Sequence, residues 1–157
     1  MNVEELMTRQ VATCSPDDTL ERAARIMWDN DCGSLPVCDG ANHVVGMITD
    51  RDICMAALFE GKALSMLPVR PSMAQRVLIC NPEQDISTVD KAMREARVRR
   101  VPVVDAQGIL VGIIGLADLA REAASERAAA DKEVTESEVG DTLAAICEPR
   151  TKRRRAA

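Results

Sequence analysis

Leu35-Pro36-Val37-Cys38-Asp39, followed by Val45-Gly46-Met47-Ile48-Thr49-Asp50-Arg51-Asp52, returns 66 residues later as Val101-Pro102-Val103-Val104-Asp105 and Val111-Gly112-Ile113-Ile114-Gly115-Leu116-Ala117-Asp118. The same shift places Met7 on Met73, Val11 on Val77, Cys14 on Cys80, Pro16 on Pro82 and Met27 on Met93, with no gap between Met7 and Asp52. Self-similarity at one fixed offset marks a duplicated structural unit.

Each copy reads alike. Val11–Cys14 and Val77–Cys80 are short extended runs, closed by the turn signals Ser15-Pro16 and Asn81-Pro82. Leu20, Ala23, Ala24 and Met27 then recur at helical spacing, as do Ile86, Val89 and Met93. Thr19 or Asp18, and Asp85, suit the N-cap positions of these helices. Two β-rich runs follow in each copy, Leu35–Cys38 with Val44–Ile48 and Val101–Val104 with Leu110–Ile114, separated by polar turns. A second helix starts near Thr49 or Gly115. The predicted order is β-α-β-β-α, twice.

One unit of about 50 residues cannot bury both faces of a three-stranded sheet. The expectation is therefore a mixed α/β (α+β) fold, with two repeats packed sheet to sheet on one shared core and a pseudo-two-fold cleft between them, where ligands tend to sit. The predicted boundaries are residues 1–58 for the first repeat, 59–72 for a linker and 73–123 for the second repeat. A helical extension follows over 124–149, in which Val134, Val139, Leu143 and Ile146 lie at near-helical spacing with Ser137 or Thr135 as cap, and a basic, disordered tail over 150–157.

Composition narrows the function. With one Trp, one Phe and no Tyr, the core is aliphatic and no aromatic platform exists for stacking single-stranded nucleic acid. A net charge of −5 offers phosphate backbones no general attraction, leaving the tail Arg150, Lys152, Arg153, Arg154 and Arg155 as the one place for nucleic acid or an acidic partner. Six cysteines and one histidine, His43, show no zinc-ligand spacing, so no metal is expected. Cys14, Cys38 and Cys80 read as small buried hydrophobes. No signal peptide and no apolar run near the ~20 residues of a membrane helix is seen, so a reducing, cytoplasmic setting is expected. No Ser-His-Asp arrangement, Walker loop or dinucleotide fingerprint is present, so no enzyme is expected.

The joint pattern Met7-Thr8, extended run, Ser15-Pro16, helix, Leu35-Pro36-Val37-Cys38-Asp39, Val45-Gly46-Met47-Ile48-Thr49-Asp50-Arg51-Asp52 resembles the cystathionine-β-synthase (CBS) domain, here as the tandem pair called a Bateman module. The resemblance spans about residues 3–123. It implies a regulatory module that binds an adenosine-containing ligand between the repeats: AMP, ADP or ATP, with NAD and S-adenosylmethionine also within the family's range. It also implies a homodimer. The rival reading is a structural adaptor that recruits an unknown protein target through its last helix and basic tail.

Candidate site residues follow. Thr49 and Asp52 lie in the first turn of a helix, whose unpaired N–H groups favour phosphate. In the family, Ser/Thr-x-x-Asp holds phosphate with the hydroxyl and ribose with the carboxylate. Thr-x-x-Asp equally reads as a capping box that merely starts the helix. The second copy keeps Asp118 but has Gly115 in place of the hydroxyl, which argues for a ligand role for the aspartates. Arg99 and Arg100 precede a buried strand, and by the resemblance one of them reaches across the cleft; a solvated pair is the plainer alternative. The site of Thr49 and Asp52, completed by Arg99 or Arg100, is expected to be the better phosphate binder, and the Asp118–Gly115 site the poorer. The resemblance puts adenine near Thr13, Ser34 and Leu35.

Overall fold

The computed structural model of the protein describes residues 1–125 and 135–147. The chain forms α1 (Val3–Leu6), α2 (Leu20–Asp29), β1 (Ser34–Cys38), β2 (Val44–Thr49), α3 (Asp50–Glu60), a 3₁₀ turn (Leu64–Met66), α4 (Ile86–Ala96), β3 (Arg100–Val104), β4 (Leu110–Gly115), α5 (Leu116–Ser125) and α6 (Glu136–Cys147). The duplication is kept down to the hydrogen-bond register. β1 and β2 pair antiparallel with Ser34 opposite Thr49 and a bulge at Val37/Cys38; β3 and β4 pair with Arg100 opposite Gly115 and the same bulge at Val103/Val104. The capping chemistry is also local: Thr19 Oγ1 accepts from Arg22 N at 3.2 Å, and Asp85 Oδ1 from Ser87 N at 2.9 Å.

Two expectations change. The first extended run of each copy shrinks to a single parallel bridge, Cys14 to Val37 and Cys80 to Val103, so each sheet has two strands with one bridging residue. Nor do the described residues form one shared core. Leu20, Ala23, Met27, Leu35, Val37, Ile48 and Ile53 form one cluster; their equivalents Ile86, Val89, Met93, Val101, Val103, Ile114 and Leu119 form another.

The repeats are joined instead by exchanging their leading segments. Val3 and Met7 pack into the core of the second repeat, and Thr8 bridges Ile113; the equivalent Val69 and Met73 pack on the first, and Ala74 bridges Met47. Val3 and Val69 are both fully buried, each worth about 1.5–3 kcal/mol of apolar burial. Glycine permits the close approach: a Cβ on Gly112 would lie 2.6 Å from Met7 Sδ and 3.1 Å from Thr8 O, and one on Gly46 2.7 Å from Met73 Sδ and 3.1 Å from Ala74 O. The pseudo-two-fold relation runs through the centre, where the equivalent residues His43 and Ile109 form a bridge.

The segment between the repeats is held down. α3 extends into it as far as Glu60, Leu67 and Val69 are buried, and the Leu67 carbonyl accepts from Leu20 N at 2.8 Å. The helix expected after the repeats is present as α6, capped by Thr135, whose Oγ1 accepts from Glu138 N while Glu138 Oε2 accepts from Thr135 N. It packs across α4 and α5 of the second repeat. Val134 and the basic tail over 150–157 lie outside the described residues. No helix among the described residues is long and apolar enough to cross a membrane.

Candidate functional site

The turn from second strand to second helix carries the candidate chemistry in both copies, and there the two differ. In the first, Asp52 Oδ2 accepts from Thr49 N at 2.9 Å and from Thr49 Oγ1 at 2.7 Å, while Thr49 Oγ1 accepts from Asp52 N at 3.2 Å. This is a complete capping box. Asp50 N donates to Gly33 O and Arg51 N to Asp50 Oδ1, so the opening N–H groups of α3 are all occupied by the chain's own acceptors.

In the second copy, Gly115 and Leu116 bring no side-chain acceptor. Leu116 N donates to Arg99 O at 2.9 Å, but the N–H groups of Ala117 and Asp118 find no acceptor among the described residues. Asp118 Oδ2 accepts from Gly115 N at 2.7 Å, and Oδ1 pairs with Arg121. Retention of Asp118 beside Gly115 therefore does not by itself indicate a ligand: the carboxylate half of the cap works without the hydroxyl half.

The arginines stand beside both helix starts. Because β3 and β4 pair Arg100 with Gly115, both arginines leave the sheet beside the start of α5, in their own repeat. Arg99 and Arg100 line a cavity of about 570 Å³ together with Thr8, Ile113, Gly115, Leu116, Asp118, Arg121 and two residues of α6, Val139 and Leu143. Arg100 does reach the other repeat, with Nη1 donating to Ser34 Oγ at 3.0 Å, and Ser34 is the strand partner of Thr49. The guanidinium of Arg99 has no partner among the described residues. Of the two cavities, the one at Asp118 and Gly115 is lined by both arginines, and neither Thr49 nor Asp52 lines either of them.

The residues expected around the base lie on β1 and next to its bridging residue Cys14. Leu35 is fully buried in the first core, Ser34 is 8% exposed and engaged by Arg100, and half-buried Thr13 lines neither cavity. Val139 and Leu143 line the cavity at Asp118 although the sequence did not point to them. Their helical spacing was visible, but not the surface they would meet. A second cavity of about 500 Å³ lies between α2 and α3, lined by Ala24, Met27, Trp28, Cys32, Ile53 and Cys54 among others.

Burial pushes the Cys14 thiol up to about 12 and those of Cys38 and Cys80 up to about 11, which makes all three poor nucleophiles and poor metal ligands. Among the described residues no group of His, Cys, Asp and Glu could hold a metal ion.

Comparison with known proteins agrees with the duplicated fold. The model of the CBS domain family matches residues 3–58 and 69–125. CBS domain-containing protein YhcV of Bacillus subtilis is 37% identical over 119 residues, covering 76% of this chain and 83% of that protein. The crystal structure of Hypoxic Response Protein I with two coordinated zinc ions superposes with a TM-score of 0.70 at 31% identity, covering 77% of this chain and 98% of that one. The CBS domain pair of protein MJ0100, in complex with 5′-methylthioadenosine and S-adenosyl-L-methionine, superposes with a TM-score of 0.69 at 26% identity over 77% of this chain and 98% of that one.

Proposed function

This chain belongs to the CBS domain family, as a tandem pair, and on that premise we propose that it is a regulatory module whose adenosine-containing ligand binds at the start of α5. One observation carries the reading. Two open backbone N–H groups at a helix N-terminus and the guanidinium groups of Arg99 and Arg100 face one cavity beside Asp118. Helix N-termini and arginines both favour a phosphate or carboxylate. A carboxylate has about four acceptor positions, so Asp118 retains capacity for ribose hydroxyls after its bonds to Gly115 and Arg121. The cavity is within the usual range of about 300–1,000 Å³ for small-molecule sites. The adenosine ligands of the MJ0100 pair support the ligand class.

The first-repeat position at Thr49 and Asp52 is the weaker one on this reading. An anion there must displace the Thr49 cap and meets two carboxylates, Asp50 and Asp52. AMP and ATP are the preferred ligands, with NAD and S-adenosylmethionine next. Ligand binding acts on a protein target, or on the pairing of two copies, through change of shape.

A thermal-shift panel of AMP, ADP, ATP, NAD and S-adenosylmethionine tests the class. At ~100 times its Kd a ligand adds about 2.7 kcal/mol, raising the melting temperature by roughly 5–10 °C. A flat response to all five at millimolar concentration would contradict the proposal.

A further inference from the structure

α6 is no part of the duplicated unit, yet it builds one wall of the Asp118 cavity through Val139 and Leu143. Its seat is a polar clasp. Thr142, fully buried, donates its hydroxyl to Asp90 Oδ1 at 2.6 Å, and Arg94 Nη2 donates to Asp90 Oδ2 at 3.1 Å, to Thr142 Oγ1 at 3.2 Å and to Glu138 O at 3.3 Å. The clasp exists only in the second repeat. Ala24 and Trp28 stand where Asp90 and Arg94 would be in the first, and Trp28 is 87% exposed. In the first repeat the groove between the two helices accordingly stays open as a cavity. In the second, α6 packs over α4 and α5, and a cavity remains at the end where Arg99, Arg100 and Asp118 gather.

That remaining space is two-faced: arginines and an open helix start on one side, Ile113, Leu116, Val139 and Leu143 on the other. Leu143 is 48% exposed although it lines a cavity, so its free surface is available to a bound molecule. We infer that α6 is part of the ligand site: the apolar portion of an anionic ligand packs on Val139 and Leu143, and occupancy holds α6 on the second repeat. Identification of that portion with adenine rests on the function proposed above. Coupling between two binding events is reciprocal, so ligand strengthens α6 docking by the factor by which docked α6 strengthens ligand binding. The helix is thereby the element through which occupancy is passed on.

The test is amide hydrogen exchange and calorimetry on the full chain with AMP, ATP, NAD and S-adenosylmethionine, each titrated separately. For the tightest binder, exchange over residues 139–146 slows about tenfold at saturation. Leu143→Gln weakens that ligand by about tenfold, a typical effect of losing half a leucine's burial, while its melting temperature without ligand stays near that of the unsubstituted protein because the side chain is half exposed. Thr142→Val, which alters no cavity residue, weakens the same ligand by loosening α6. The inference is overturned if a ligand that binds leaves exchange over 139–146 unchanged, or binds Leu143→Gln as tightly as the unsubstituted protein. Failure of these four and of ADP to bind would instead remove the function proposed above, and this inference with it.

Discussion

Replacing Thr142 by valine removes one hydroxyl from a fully buried position and keeps the side-chain shape. The loss falls on Asp90, which is 6% exposed and accepts the 2.6 Å hydrogen bond from that hydroxyl. A hydrogen bond to a charged group is worth about 1.5–3 kcal/mol, and an oxygen left unsatisfied in a buried site incurs a desolvation cost of similar size. Asp90 still keeps its pairing with Arg94 at 3.1 Å, so the lower part of that range applies, about 2 kcal/mol. The cost falls on the docking of α6, because the clasp joins that helix to α4 and to nothing else. Native-state hydrogen exchange over residues 139–146 should therefore quicken by roughly 30-fold, at 1.4 kcal/mol per factor of ten. Amides of β3 and β4 should be much less affected. Thr142→Ser, which keeps the hydroxyl and loses one methyl, should cost only about 1 kcal/mol. Exchange in Thr142→Val within twofold of the unsubstituted rate would refute the reasoning, since the clasp would then contribute nothing net.

Other outcomes are open to simpler measurement. Gly112→Ala and Gly46→Ala each push a Cβ against the exchanged segment and should lower stability in urea by about 1–3 kcal/mol, whereas Gly40→Ala, with nothing within 4 Å of its added Cβ, should stay within about 0.5 kcal/mol. A thiol reagent at pH 8 should modify exposed Cys54 promptly and reach Cys14, Cys38 and Cys80 only after denaturation, because burial holds those three thiols protonated. Hydrogen bonds from the backbone and hydroxyl of Thr135, with Arg94 nearby, hold the Glu138 carboxyl below its ordinary range. Its contribution is therefore complete above the ordinary glutamate value of about 4.3 and is lost as the pH falls through the lowered value, so protection of α6 amides relative to their intrinsic exchange should fall below about pH 4 and Glu138→Gln should flatten that fall.

The duplication was legible because it resides in residue type and spacing. The Leu-Pro-Val or Val-Pro-Val and Val-Gly-x-Ile stretches predict paired strands, and both hairpins keep one register, bulge included. The caps Thr19 and Asp85 were legible for the same reason: a cap is a contact between residues two or three apart. What spacing cannot show is which copy a segment packs upon. Val3 and Met7 have the same relation to Val69 and Met73 whether each leading segment folds on its own repeat or on the other, so the exchange was invisible and one shared core was expected in place of two. The arginines illustrate the same limit. Arg99 and Arg100 stood out as candidates for holding an anion, but strand register, not composition, sets them beside Gly115. The amphipathic spacing of Val139, Leu143 and Ile146 indicated a packed helix. That two of those residues would wall a cavity followed only from the clasp at Asp90, Arg94 and Thr142.

The central claim is that the anionic ligand sits at the start of α5 and not at the capped start of α3. Calorimetric titration of ATP into the full chain and into Arg99→Ala, Arg100→Ala and Thr49→Ala tests it most directly. The account predicts saturable binding to the unsubstituted protein, weakened about tenfold or more by either arginine substitution, and little changed by Thr49→Ala. Binding that survives both arginine substitutions and is abolished by Thr49→Ala would contradict it.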